Sequence, residues 1–292
     1  MKRLSLLLIF MSWTSVIYPQ NDLNDLLDKL SDLTDIDFTT ATFKSTRIMN
    51  GHSVERMAPG VLDFRISHRF GRINSGAYEF FGLDQANIHL SLEYGISKWL
   101  MVGIGRGTYE KTFDGFAKFT VVRQSTGKKS FPLSVSLFSS AAYRTLKPAP
   151  LEEDYTFSER TSCAGQLLVA RKMNQNLSLQ LMPSVISRNV PGTEPDILWA
   201  AGAGGRIKLA RRVSLNAEYY YCFNPGSYMN SEVYNPLSVG FDIETGGHVF
   251  QLIFTNSVAM IEKGFIGETT GSWGKGDIHF GFNISRVFNL KN

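Results

Sequence analysis

Ten charged side chains recur at alternate positions within apolar stretches of this 292-residue sequence, and they are its main candidates for chemistry. Asp63 and Arg65, for example, stand between apolar residues. A period of two puts the charges on one face of a strand and the apolar side chains on the other. Inside a barrel, such charges of both signs either line a narrow polar pore or pair with one another and fill it. The candidate lumen-lining residues are Asp63, Arg65, Arg69, Glu93, Lys118, Arg144, Arg206, Glu218, Asp242 and Glu244.

A hydrolytic site would need a nucleophile, a base and a carboxylate or amide that converge in space. His89, Ser91 and Glu93 share one face of a predicted strand and are the nearest approach to such a set. Residues two apart on a strand point in parallel, however, and the sequence contains no Gly-x-Ser-x-Gly nucleophile elbow. We therefore expect no enzyme activity and assign no catalytic residue.

Glycine clusters and cysteines predict no cofactor. The cluster Gly103-Ile104-Gly105-Arg106-Gly107 leads into neither a helical pattern nor a Lys-Ser/Thr pair, so glycines that let a strand bend are favoured over a phosphate loop. No spacing of Cys, His and carboxylates recommends a metal site. Cys163 and Cys222 fall on predicted strands three apart, where Cα atoms should lie beyond ~7 Å. Free thiols, and no cofactor-binding or metal-binding residue, are expected.

Strands are the elements predicted to position the charges. From residue 61 onward, apolar residues alternate with polar ones in about twelve segments. Each segment meets or slightly exceeds the roughly 9 to 11 residues that a tilted strand needs to cross ~30 Å of hydrocarbon. Aromatic residues near segment ends, such as Trp99 and Trp199, fit interfacial girdles. The predicted strands cover residues 61–70, 86–96, 99–109, 115–124, 132–145, 160–173, 177–188, 197–210, 213–223, 236–245, 248–258 and 276–289.

The connections between these strands alternate between short and long, which is typical of a membrane barrel. One place breaks the alternation: the connection near residues 110–114 is no longer than the next one, at 125–131. If short turns face the periplasm, an even strand count returns both termini to that side. The sequence thus predicts an all-β fold, a transmembrane antiparallel up-and-down β-barrel of about twelve strands. A soluble β-sandwich is the alternative, and the charged faces disfavour it.

Three regions are predicted along the chain. Residues 1–20 read as a cleaved signal peptide, because Lys2 and Arg3 precede a short apolar run. Residues 21–59 form a periplasmic region, with an amphipathic helix over 21–35 and an entry segment after it; the helix packs on the mouth, plugs the lumen or binds a partner. Residues 60–292 form the barrel. No later run reaches the roughly 20 apolar residues of a membrane helix, which excludes a helical membrane protein.

A block of motifs between residues 67 and 124 resembles a known family. The motifs are Ser67-His68-Arg69-Phe70-Gly71, Phe81-Gly82-Leu83-Asp84-Gln85-Ala86-Asn87, Glu93-Tyr94-Gly95, Val102-Gly103-Ile104-Gly105-Arg106, and Lys118 through Arg123-Gln124. They resemble a Bacteroidota outer-membrane β-barrel family labelled only as a domain of unknown function. The resemblance implies an outer-membrane barrel in a Gram-negative cell and supplies no catalytic or binding residue.

Function follows from this architecture only in outline. The net charge of +4 is too small to imply nucleic acid. The first hypothesis is a narrow channel or transporter for small hydrophilic solutes, and the mixed charges disfavour strong ion selectivity. The second is a non-conducting barrel that serves as an interaction or assembly partner of periplasmic or outer-membrane proteins, and the weakest is an enzyme acting on lipid. Outer-membrane lipid is a partner in each case. The aromatic loops at 78–81 and 228–234 either contact a ligand or close the mouth.

Overall fold

Twelve strands form a closed antiparallel barrel in which each strand pairs with its neighbours along the chain and the last pairs with the first. This computed structural model describes residues 36–147, 155–189, 196–228 and 231–291, so the predicted signal peptide and amphipathic helix lie outside it. The predicted twelve-stranded up-and-down barrel is confirmed. Its strands are β1 (Val61–Arg72), β2 (Ala86–Gly95), β3 (Leu100–Gly107), β4 (Thr112–Val122), β5 (Ser134–Arg144), β6 (Thr161–Lys172), β7 (Leu177–Arg188), β8 (Asp196–Lys208), β9 (Val213–Cys222), β10 (Leu237–Thr245), β11 (His248–Thr255) and β12 (His279–Asn289).

The connections define a short-turn end and a long-loop end of the barrel. The predicted break in their alternation is present: the β3–β4 connection has its tight turn at Glu110 and Lys111, while the β4–β5 connection includes a short strand, Ser125–Gly127. That strand pairs with Ile36–Phe38 at the short-turn end. Glu110 and Lys111 both adopt a positive φ, near 51° and 50°. Because this turn is so tight, β4 begins at Thr112 rather than at 115.

The outer surface of the barrel is apolar. On β2, Leu90 and Leu92 are exposed whereas Ser91 and Glu93 are buried, which reverses the pattern of a soluble protein. Trp99 at the short-turn end and Trp199 towards the long-loop end are 55% and 60% exposed. This outer surface is suited to contact lipid, with aromatic side chains near both interfaces. Among the described helices, none has the length and apolar character to cross a membrane.

The inner face divides into two halves of different chemistry, although the sequence predicts a polar face throughout. From β10 through β12 to β1 and β2 the buried inward side chains are polar, with the exception of Ile253. On β3 to β9 large apolar side chains point inward and alternate with polar ones such as Gln180, Ser184 and Arg206. We call these the polar half and the apolar half. The polar half includes Ser238, Asp242, Gln251, Asn283, Ser285, Asp63, Arg65, Arg69, Ser91 and Glu93, and the apolar half Met101, Phe116, Phe138, Leu168, Met182, Ile186, Leu198 and Tyr220.

Cys163 on β6 and Cys222 on β9 are free thiols, as predicted. Cys163 is exposed on the outer surface and Cys222 is buried. No group of three or more metal-ligating side chains is present in the part of the chain that the structure describes.

Candidate functional site: a filled lumen

Residues 39–58, which we name the plug segment, occupy the lumen. Within this segment residues 42–54 are buried, apart from the partly exposed Lys44. They form a tight hairpin, because the amide of Ile48 donates to the carbonyl of Gly51 at 2.8 Å and the amide of Ser53 to that of Thr46 at 2.9 Å. The hairpin tip is therefore Met49-Asn50.

The plug segment reaches opposite walls of the barrel. On one side, Lys118 of β4 donates to the carbonyls of Ser53 and Glu55 at 3.0 and 2.6 Å. On the other, the side-chain amide of Asn50 donates to Ser238 of β10 at 3.0 Å. β4 and β10 are six strands apart in a ring of twelve and face each other across the lumen. The sequence predicts an entry segment on the periplasmic side here, whereas the structure places these residues inside the barrel.

The hairpin tip is bound by a carboxylate of the wall. Glu218 on β9 accepts from the backbone amides of Asn50 at 2.7 Å, Gly51 at 3.1 Å and Met49 at 3.3 Å. A carboxylate that accepts several amide hydrogen bonds is well satisfied despite its complete burial. From the polar half, Arg69 donates to the Asn50 side chain at 2.7 Å. These contacts fix the tip in one position.

A buried ionic network joins the plug segment to β1 and β2. Glu93 accepts from the Thr46 hydroxyl at 2.7 Å and pairs with Arg47 at 3.3 Å. Arg65 donates to Thr46 at 2.8 Å and to Asp63 at 2.9 Å. Burial lowers the pKa of Arg47, but Glu93 and Glu262 outweigh it, so that the pKa is raised overall. The predicted wall charges are thus neutralised by each other and by the plug.

Apolar side chains of the plug segment cover the apolar half of the lumen. Phe43, Ile48 and Val54 belong to one buried cluster with the apolar side chains of that wall. The ring of His52 lies against Phe138, with centroids 4.2 Å apart. Burial lowers the pKa of His52 well below its ordinary value, and Arg47 lowers it further. His52 is therefore a neutral ring in an apolar contact.

A loop from the opposite end closes the other mouth. Residues 256–272 between β11 and β12, which we name the inward loop, carry the fully buried helix α1 (Glu262–Gly267). Phe265 of this helix meets the Tyr220 ring edge-on at 5.3 Å, and Arg188 donates to the carbonyl of Gly267 at 2.6 Å. Glu262 lies 3.6 Å from Arg47 of the plug segment. The lumen is filled from both ends.

The structure places the ten predicted lumen residues as follows. Nine are buried, and most of them face the plug segment. The exception is Glu244, whose side chain is 41% exposed and pairs with Lys44 of the plug segment at 2.6 Å. Arg206 donates to the carbonyl of Ala41 at 3.1 Å, and Arg144 lies at the long-loop end, 3.3 Å from Glu110. The ten residues do not converge on one centre.

His89, Ser91 and Glu93 engage different neighbours. His89 contacts the carboxylate of Asp114 at 2.6 Å, while Glu93 binds the plug segment. The Ser91 hydroxyl has no hydrogen-bond partner within the described ranges. No hydrogen bond links these three side chains to one another in that part of the structure.

The plug segment is the main element that sequence reasoning missed. Its residues lack both a helical and a period-two pattern. The available signal was a concentration of side chains able to bond a polar wall, such as Ser45, Thr46, Asn50 and Ser53, directly before the first strand. The loop at 78–81 does not close the mouth, since Tyr78 is 93% exposed.

Residues 43–288 match the model of a protein family described as "Membrane bound beta barrel domain (DUF5777)". The chain belongs to this family. The match starts inside the plug segment and ends in β12, so that most of each lies within one family domain. The resemblance predicted from residues 67–124 is thereby confirmed as membership of a membrane-bound barrel family of unknown function.

Solved structures that align with this chain include porins. The NanC porin aligns with a TM-score of 0.48 at 8% identity, over 79% of this chain and 100% of its own. An outer membrane channel from Pseudomonas putida F1 aligns with a TM-score of 0.48 at 10% identity, over 80% and 97%. The KdgM porin has a TM-score of 0.43 at 7% identity, over 79% and 99%. No curated protein matches the sequence.

Proposed function

We propose that this protein is an outer-membrane channel for small hydrophilic solutes, closed at rest by the plug segment and the inward loop. The closed ring of twelve strands with an apolar outer surface and aromatic side chains near both ends supports the location. In this proposal the short-turn end faces the periplasm.

The observation that carries the proposal is the unequal attachment of the plug segment to the two halves of the wall. Contacts with the polar half are hydrogen bonds and ion pairs, such as those of Asn50 with Arg69 and of Met49 with Asn283. Water can replace these at a net cost of about 1 kcal/mol for a neutral hydrogen bond and about 1.5 to 3 kcal/mol for one to a charged group. Contacts with the apolar half also include hydrogen bonds, such as those of Glu218 with the tip amides, and they add buried hydrocarbon, which is favoured by about 25 cal/mol per Å². A solute path therefore opens along the polar half while the plug segment stays on the apolar half.

Single-channel recording of the full-length protein in planar bilayers tests this proposal. The wild type is expected to be closed most of the time. Asn50→Ala removes the side-chain hydrogen bonds to Arg69, Ser238 and Thr255 of the polar half, and we expect a clear increase in open probability. Gln166→Ala is the matched control, because Gln166 is a buried wall residue that binds Ser184 at 2.9 Å and, in the described structure, no plug residue.

Two further variants identify the wall of the open path. Arg65→Ala and Glu93→Ala remove charges from the polar half and should change the size of the current steps once the channel opens. A protein that inserts and opens in the Asn50→Ala form, with steps that neither variant alters, would contradict a path along this half.

A second candidate function is a non-conducting barrel that recruits other proteins. The observation in its favour is that apolar side chains fill the lumen from both ends, with Ile48 and Phe265 in the same buried cluster. This candidate predicts that neither the wild type nor Asn50→Ala conducts in the bilayer. We also propose that the protein is not an enzyme; the separate engagement of His89 and Glu93 supports this.

A further inference from the structure

A cavity of about 130 Å³ lies at the short-turn end, between the plug segment and the wall formed by β4 and β5. It is about ten times larger than the space that a single water needs. It therefore has room for a small polyatomic ion. Its lining residues are Thr39, Thr42, Val54, Glu55, Arg56, Ala58, Thr120, Arg123, Ser134 and Ser136.

Two guanidinium groups line this cavity, Arg56 from the plug segment and Arg123 from the residue that follows β4. Arg123 donates to the carbonyl of Thr39 at 3.2 Å and Arg56 to that of Met57 at 3.4 Å. Burial lowers the pKa of Arg56, and the positive charge of Arg123 lowers it further. Within the described ranges neither guanidinium has a carboxylate within ion-pair distance. Most of their donors are left for another acceptor.

Glu55 is the one acidic residue of the cavity lining. One of its oxygens accepts from the backbone amides of Thr42 at 2.7 Å and Phe43 at 3.3 Å, so this carboxylate holds the base of the plug hairpin. The lining therefore keeps a net positive charge of one. The cavity remains attractive to an anion.

Hydroxyl groups complete the cavity wall. The side-chain oxygens of Thr120 and Ser136 are buried without a hydrogen-bond partner in the described structure, and Ser136 is completely buried. Burying a hydroxyl without a partner costs about 1 to 3 kcal/mol, so such groups are normally satisfied. Rotation about χ1 to another staggered position would turn either hydroxyl towards a bound acceptor. The hydroxyl of Ser134 accepts from the amide of Gln124 at 2.9 Å, which leaves its own proton free to donate.

We propose that this cavity is a binding site for a small oxyanion, a phosphate, a sulfate or a carboxylate, held between Arg56 and Arg123. Guanidinium groups match the geometry of such oxyanions and form strong charge-assisted hydrogen bonds with them. The mouth around the cavity concentrates anions, because Lys98, Lys129, Arg211 and Arg212 are exposed in the turns of this end. The site joins the plug segment to the wall, so an occupied site strengthens that junction. This inference does not depend on whether the barrel conducts.

Calorimetric titration of the full-length protein in detergent micelles with inorganic phosphate, sulfate and acetate tests the proposal. We expect saturable binding of at least one of them at one site per chain. Arg56→Gln and Arg123→Gln should each weaken that binding about tenfold or more, and Ser136→Ala severalfold. Arg211→Gln is the matched control: it removes a charge from the same mouth without touching the cavity, and binding should change less than about twofold.

Two results would overturn the proposal. One is that the wild type binds none of the three anions saturably at millimolar concentration. The other is an equal loss of affinity in Arg211→Gln and in the two cavity arginine variants, which would mean general attraction to a basic mouth. If an arginine variant fails to fold, Ser136→Ala still tests the proposal, because it deletes a single oxygen. Unchanged affinity in Ser136→Ala would contradict the binding of the anion by the hydroxyl groups.

Discussion

Gly51 occupies the tightest point of the plug hairpin. A Cβ atom at this position would lie 2.1 Å from the Tyr220 hydroxyl oxygen and 3.2 Å from a carboxylate oxygen of Glu218. Tyr220 is completely buried, and its hydroxyl also donates to the sulfur of Met182 at 3.1 Å. Neither neighbour has free space to move into. The tip can approach the wall this closely only because position 51 has no side chain.

Gly51→Ala is therefore expected to lower the free energy of unfolding by about 1 to 3 kcal/mol, the usual cost of overpacking. Urea titration of the protein refolded into lipid vesicles measures this. Tyr220→Phe removes the clashing oxygen, so the double variant should lose less than the sum of the single losses. Gly115→Ala is the control, because its nearest contact would be an ordinary 3.7 Å. If the losses are strictly additive, the destabilisation by Gly51→Ala does not come from a clash with the Tyr220 hydroxyl oxygen.

The carboxyl of Glu262 couples the inward loop to pH. Burial raises the pKa of Glu262 to about 7, even though Arg47 of the plug segment lowers it. The unfolded value is about 4.3. Between these values the folded protein keeps the proton and the unfolded chain releases it. The contribution to stability is therefore complete below about pH 4 and is lost as the pH rises to 7, with an upper limit on the order of 3 kcal/mol.

Glu262→Gln should make the free energy of unfolding decrease less between pH 4 and 7 than it does in the wild type. A remainder is expected, because burial also raises the pKa of Glu268 to about 7. Asp84→Asn, an exposed carboxyl in the loop after β1, serves as the control and should leave the pH profile unchanged. A Glu262→Gln profile parallel to that of the wild type would contradict the raised pKa.

At the scale of elements, the plug segment fills the lumen, with residues 42–54 buried apart from the partly exposed Lys44. We therefore expect removal of residues 21–35 to leave the conductance close to that of the wild type, because residues 39–58 still fill the lumen. Removal of residues 21–58 should produce large, long-lived openings. Bilayer recordings of the two truncated proteins, each checked for refolding, make the comparison. A large current from the shorter truncation would assign the closing role to residues 21–35.

The sequence predicts the strands well and the contents of the lumen poorly. On β2 the alternation is clear, because Leu90 and Leu92 face outward and Ser91 and Glu93 inward. At the start of β8 it is not, since Ile197 and Trp199 are exposed while Leu198 and Ala200 are buried, so both faces are apolar. Periodicity cannot show which apolar side chains point inward in such a strand. The apolar half of the lumen was missed for this reason.

The plug segment was missed for a different physical reason. Its fold depends on contacts distant in sequence, such as the hydrogen bonds from its tip to Glu218, 167 to 169 residues away. Periodicity within a short stretch of sequence does not predict such contacts. The ten charged residues were found because their alternation is local, but their partners on the plug segment could not be inferred from it. Sequence thus predicts where a wall charge lies and leaves open what neutralises it.

At the scale of the whole molecule, the barrel and its contents depend on one another. The apolar half would be an unfavourable wall for water alone, and the hydrocarbon of Phe43, Ile48 and Val54 covers it. The polar half would leave buried charges without partners, and Arg47 and the side chain of Asn50 supply them. A lumen with a polar half and an apolar half is consistent with a plug segment that stays on the apolar half and moves away from the polar half.

The orientation of the whole barrel in a bilayer can be checked with two tryptophans. Trp99, at the short-turn end, stacks on Phe119 with centroids 5.9 Å apart, and Trp199 lies on the outer surface towards the other end. Both should lie at the level of the lipid head groups, but in opposite leaflets. Lipids brominated near the head group and exchanged into the outer leaflet alone should therefore quench the fluorescence of only one of the two tryptophans. Comparison of Trp99→Phe with Trp199→Phe would show which one.

Trp273 is the internal control, because its indole donates to the carbonyl of Leu237 in the long-loop mouth, and its emission should respond little. Equal quenching of Trp99 and Trp199 from a single leaflet would mean that the barrel lies in the membrane plane rather than across it.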